Sequence, residues 1–158
     1  MESKPDWQPL LAAWLALDNG PRAQMRRVAA PEDLLDLPAF YRLVGPLGWT
    51  DAKTEWERRG WLRLVFCLSA GNPAFHVTSE PVSLGKALAV TGKINERRLF
   101  QLVRADWPQD MVQLRRLLAH ATPTLNWSSL AGLLWHWQPQ QRQRLLEDFV
   151  ISSPKKNA

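Results

Sequence analysis

The chain has 158 residues, 46% of them hydrophobic and 22% charged, with a formal net charge of +5 at pH 7. That length and apolar content describe a soluble globular protein able to bury one good core. The longest apolar run, near 64–70, is far too short to cross a bilayer, and the lone Cys67 excludes an internal disulfide and fits a reducing cytoplasm.

Read in chain order, the pattern is helix after helix. Acidic Glu2 and Asp6 open the sequence without a charged-then-apolar leader, so no secretion signal is expected. Over 7–18, Trp7, Leu10, Leu11, Trp14 and Leu17 recur at steps of three and four, which predicts an amphipathic helix stopped by the turn residues at 18–21. Further helices are expected over 21–29, 38–44 and 54–70, the last ended by Gly71, Asn72 and Pro73. The stretch 71–81 is the longest without helical pattern; a flexible loop or a small strand fits it, and it marks a possible boundary between lobes at 7–71 and 83–151.

Beyond it, 83–90 reads as a short helix closed by Thr91 and Gly92. Asn95 is an expected N-cap, with Glu96 well placed in the field of the helix that runs to 105. Asp106 is expected to cap the next helix, with Pro108 in its first turn and Gln109 completing a capping-box spacing, so that the two helices form a tight antiparallel hairpin. Helices over 126–137 and 139–150 complete the chain, and 152–158 reads as a loose polar tail. No alternation supports a sheet and no repeat is present. The expected fold is all-α, a compact helical bundle.

Charge is concentrated in the second half. Between 86 and 116 stand Lys86, Lys93, Arg97, Arg98, Arg104, Arg115 and Arg116 against Glu96, Asp106 and Asp110, a local excess of four that is nearly all of the chain's net charge. At about 100° per residue, Arg97, Gln101 and Arg104 form one stripe, read as opposite Leu99, Phe100, Leu102 and Val103, with Arg98 at its border. On the next helix Arg116 shares a face with Gln109, Gln113 and His120. Arg115 points among Met111, Val112 and Leu118 and is expected to be structural. Pattern alone leaves two readings open: a solvated basic surface, or a site for a polyanion. Arg59 and Arg63 follow Glu55 by four and eight residues, the spacing of an intrahelical ion-pair ladder contributing about 0.2 to 0.5 kcal/mol per pair.

Little else points to chemistry. His76, His120 and His136 are scattered, so neither a metal site nor a cofactor is expected, and Cys67 lies in an apolar run as an inert core thiol. No nucleophile elbow, phosphate loop or dinucleotide fingerprint occurs. Asp106 and Asp110 lie one turn apart, a spacing open to a metal-dependent enzyme, although capping explains Asp106 more simply. A free-standing helical nucleic-acid-binding protein is a further reading. Of the nine tryptophans most are expected in the core, with Trp107, beside the arginine hairpin, the one to test for base stacking.

Taken together, LDNG at 17–20, AQMRRV at 23–28, PAFYRLV at 38–44, FCLSAG at 66–71, SLGKAL at 83–88, INERRLFQLVRAD at 94–106, DMVQLRRLL at 110–118 and LLEDFV at 145–150 resemble the CasB family. That family is the small subunit of the type I-E CRISPR Cascade surveillance complex, and the resemblance runs from about 14 to the end. It departs mainly at 50–60, where this chain carries extra residues, and at 72–82, where its loop is shorter.

The resemblance implies an all-α, non-catalytic, cytoplasmic subunit, present as a pair beside the backbone and large subunits of a crRNA-guided complex. It implies a basic surface that holds the displaced non-target DNA strand and braces the target strand, keeping the R-loop open. Guide pairing supplies sequence specificity in such a complex, so backbone contacts suffice for this subunit. By matching position the implied DNA-binding residues are Arg27, Arg98 and Arg116, with Lys53 matched beside a variable loop. Arg26, Lys93, Arg97 and Arg104 join them from the helical stripe and local charge.

Overall fold

The structure is a computed structural model and describes residues 7–70 and 76–153. Among these residues the chain forms α1 (Gln8–Ala16), α2 (Asn19–Arg27), α3 (Pro38–Val44), α4 (Glu55–Leu68), α5 (Leu84–Thr91), α6 (Glu96–Arg104), α7 (Gln109–Ala121), α8 (Trp127–Trp135) and α9 (Pro139–Ser152). Short 3-10 turns occupy Pro31–Asp36, Gly45–Leu47 and Trp49–Asp51, and two-residue strands β1 (His76–Val77) and β2 (Thr124–Leu125) pair in parallel. The all-α expectation holds.

Local chemistry starts four of these helices with a side-chain cap. Side-chain oxygens of Thr54, Ser83, Asn95 and Asn126 accept first-turn amides from Glu57, Lys86, Arg97 and Ser129 at 3.1, 3.2, 2.7 and 2.9 Å. Gly92, at φ 69°, supplies the left-handed residue that closes α5.

Two expectations about turns need correction. Asp106 does not cap α7: that helix starts at Gln109 with Pro108 as its N-cap residue and no side-chain cap. Asp106 contributes its carbonyl, which accepts the Asp110 amide at 3.1 Å, while the Asp110 carboxylate takes the Met111 amide at 2.7 Å. These first-turn amides therefore find acceptors other than the Asp106 side chain. The other correction is the β1–β2 pairing, which Asn126 reinforces by donating to the Thr78 and Glu80 carbonyls at 3.3 and 3.1 Å. The expected helix stop at 71–73 and most of the polar tail lie outside the described residues.

The apolar core runs continuously from Trp7 to Phe149. At its centre is α4, buried without interruption from Gly60 to Leu68 and packed against α7, α8 and the Pro31–Asp36 turn. Gly60 permits this approach, since a Cβ there would stand 2.5 Å from the Trp135 ring. On the other side α9 packs against α5 and α6. Five tryptophans are buried (7, 14, 61, 127 and 137), three are half-buried, and only Trp56 is exposed, at 39%. The rings of Trp7, Trp61 and Trp135 meet edge-on or tilted at 4.9 to 5.9 Å.

Arg63 does not belong to a surface ladder. Arg59 makes the expected pair with Glu55 at 3.3 Å, but Arg63 is 2% exposed and donates to the carbonyls of Leu134 and Trp135 at the end of α8. Its guanidinium lies 4.6 Å from the centre of the Trp56 ring, and burial draws its pKa down to about 10 against the opposing pull of Asp110. Spacing along α4 could not reveal this, because the partners come from a helix some 70 residues later.

Candidate nucleic-acid interface

Each basic group singled out from the sequence sits on or next to a structured element. Arg26 and Arg27 form the last turn of α2, where cations complement the helix dipole; Arg27 is exposed and Arg26 half-buried. Lys93 is exposed just before α6, and Arg97, Arg98 and Arg104 are exposed along it. The apolar side of α6 buries Leu99 and Leu102. Arg116 is exposed on α7. Lys53 is exposed two residues before α4.

The basic turn of α2 and that of α7 are held together by Arg115, as its structural reading anticipated. Its guanidinium lies 3.7 Å from the centre of the Phe66 ring, bonds the Ser69 hydroxyl at 3.4 Å, and donates to the Val28 carbonyl immediately after Arg27. Burial lowers the Arg115 pKa, a cost offset by these contacts. Arg27 and Arg116 are thus each one residue from the same inter-helix tie. Arg97, Arg98 and Arg104 belong to α6, with Lys93 just before it, and α6 packs against α7.

Lys53 stands apart, at a hollow of about 350 Å3 that it lines with Glu32, Arg58, Arg59 and Trp107. Trp107 is half-buried, donates its indole N–H to Glu32 at 3.3 Å and has the Arg59 guanidinium 5.1 Å from its ring centre. Its indole N–H is thereby engaged within the chain. Arg58, over Trp49 at 5.0 Å, and Arg59 join Lys53 here only through folding.

Another arginine passed over in the sequence is Arg142 of α9, which directs Nη1 to the carbonyls of Val103 and Ala105 at the C-terminus of α6, both at 3.4 Å. No sequence signal announces it, because the contact depends on how α9 packs against α6. Phe100 also departs from expectation. The sequence pattern sets it on the apolar side, yet it is 45% exposed, because at about 100° per residue it lies only some 60° from Arg97.

The exposed arginines and lysines give this surface positive charge, whereas two groups open to other chemistry lie inside. Asp110 is buried with both oxygens engaged, by the Trp137 indole N–H at 2.9 Å and the Met111 amide at 2.7 Å. Burial pushes its carboxyl pKa up despite those bonds. Cys67 is buried and its thiol is pushed up to about 12 by desolvation. No helix among the described residues is long and apolar enough to cross a membrane.

Comparison with known proteins agrees with the fold and with the motifs. The chain is 51% identical over 161 residues to the CRISPR system Cascade subunit CasB of Escherichia coli (strain K12), covering 98% of this chain and 99% of that protein. A chain in the crystal structure of E. coli Cascade bound to a PAM-containing dsDNA target superposes with a TM-score of 0.89 at 52% identity, over 96% of this chain and 98% of that one. The family model for CRISPR-associated protein Cse2 matches residues 21–149, and the chain therefore belongs to the CRISPR-associated Cse2 family.

Proposed function

We propose that this chain is the small, non-catalytic subunit of a cytoplasmic crRNA-guided type I-E Cascade complex, present as a pair beside the backbone and large subunits. Its role in this reading is to offer basic surface to the displaced non-target strand and to brace the target strand. The observation that carries it is the likeness, over nearly the full length of both chains, to a subunit of a DNA-bound Cascade. The exposed arginines add physical support: Arg27, Arg98 and Arg116 lead, with Arg26, Lys53, Lys93, Arg97 and Arg104 behind them. Guanidinium groups on rigid helices meet phosphate well. The heteroduplex formed on target binding is about as stable as the duplex it replaces, so a few phosphate contacts tip the balance.

Two experiments test this. A tagged chain recovered from its native cells should bring a large particle with a discrete crRNA-sized RNA; recovery of the chain alone, with other Cascade subunits expressed, would favour an independent DNA-binding protein. In the assembled particle, Arg98→Ala with Arg116→Ala should weaken R-loop locking while assembly persists. Each lost phosphate contact should flatten the log-log salt dependence by roughly 0.7 to 0.9. An unchanged slope removes both residues from the site.

A further inference from the structure

Phe100 exposes 45% of its surface in the middle of a charged helix face. Arg97 and Arg104 stand three residues before it and four after, and so rise on the same side of α6, together with the single acid Glu96 four residues before it. The Arg104 guanidinium lies 5.2 Å from the centre of the Phe100 ring. Beside the ring opens a cleft of about 260 Å3 whose walls include Val103, Arg104, Pro139, Arg142 and Leu146. Its lining contains two arginines and no carboxylate. Arg142 is held toward α6 by the Val103 and Ala105 carbonyls, and its Nε is buried with no hydrogen-bond partner in the described structure.

We propose that Phe100, flanked by Arg97 and Arg104, is a stacking platform for a base of single-stranded nucleic acid whose phosphates the surrounding arginines neutralise. The inference rests on the single-strand role proposed above and deepens it by naming an aromatic contact. Charge complementarity selects the occupant: the site pairs an exposed ring, with the Arg104 guanidinium over one face, with further cations nearby, and a nucleotide carries both a flat ring and an anion. A run of carboxylates alone would answer the arginines but not the ring. Stacking also suits a subunit that leaves sequence reading to the guide, since every base presents a π face.

The test is binding of a fluorescein-labelled oligothymidylate to the purified full-length chain, followed by anisotropy across a salt series. Phe100→Ala should weaken binding by roughly five- to 150-fold, the loss expected for one stacked base. Phe100→Leu should lose as much, Phe100→Trp should bind like the wild type, and the salt slope should be the same in all three because no cation is removed. Circular dichroism should show each variant folded, since the side chain is not in the core.

Full binding by Phe100→Leu would overturn the proposal in favour of simple apolar burial. Unchanged binding by Phe100→Ala would overturn it too, and if that variant also fell out of the assembled particle the ring would be a protein contact. Failure of the wild-type chain to bind the oligonucleotide overturns it as well. The Arg98→Ala, Arg116→Ala double variant separates the two readings. If it weakens binding while the Phe100 series is silent, the proposed function stands and the platform does not.

Discussion

The guanidinium of Arg115 donates to the main-chain carbonyl of Val28, joining the turn of α7 that presents Arg116 to the end of α2 that presents Arg27. Arg115 is thereby a positioning residue for two exposed cations that it does not resemble in burial. Replacing it with alanine leaves that carbonyl without this donor and uncovers the Phe66 ring, so Arg115→Ala should cost about 1.5 to 3 kcal/mol in urea unfolding. Arg115→Lys should recover little of this, because an ammonium cannot reproduce the planar stack and the fork together. Equal stability of the lysine variant and the wild type would show that charge alone matters there.

Asp110 yields a prediction in pH. Burial raises its folded carboxyl pKa above the ordinary 3.8, so the folded chain holds this proton more tightly than the unfolded chain does. Ionisation then costs the folded state free energy above the folded pKa, and the cost is relieved as pH falls through that value toward 3.8. Asp110→Asn has no such proton. The stability of the wild type relative to Asp110→Asn should therefore increase as pH is lowered through this window, read as a growing difference in melting temperature. A difference that does not move with pH would show that the carboxyl titrates alike in both states.

Close packing of α5 on α9 hinges on Gly85. A Cβ at this position would meet the Leu145 carbonyl at 2.6 Å and the Phe149 amide at 2.7 Å, both backbone atoms that cannot swing aside. Gly85→Ala should destabilise the fold by about 1 to 3 kcal/mol despite alanine's better helix propensity. A stabilised variant in thermal unfolding would mean that the two helices separate without cost.

Cys67 should resist thiol reagents in the native chain. It is buried, and its pKa of about 12 leaves almost no thiolate at neutral pH. Labelling by a chromogenic disulfide should be slow under native conditions and complete in denaturant. Rapid native labelling would reveal local opening of α4.

We also propose that the chain unfolds as one unit. The core is continuous and α4 packs against α7 and α8 from the other side of the 71–81 break. Circular dichroism and tryptophan fluorescence should report a single coincident transition. Two separated transitions would instead define independent lobes near 7–71 and 83–151.

Local physics was legible along the chain. Helical phase placed Arg97, Arg98, Arg104 and Arg116 in solvent and Leu99, Leu102, Met111 and Leu118 inside, and short polar side chains marked the starts of α5, α6 and α8. Those features depend on neighbours within a turn or two. Tertiary structure alone decided the burial of Arg63 beneath Trp56, the target of Arg115, the Asp110–Trp137 bond and the parallel pairing of β1 with β2. It also decided that Arg58 and Arg59 share a hollow with Lys53 and that Arg142 stands beside Phe100. Most of these contacts join residues tens of positions apart. Periodicity says only which side of a helix is apolar; which distant carbonyl, carboxylate or ring meets a side chain depends on how whole helices pack.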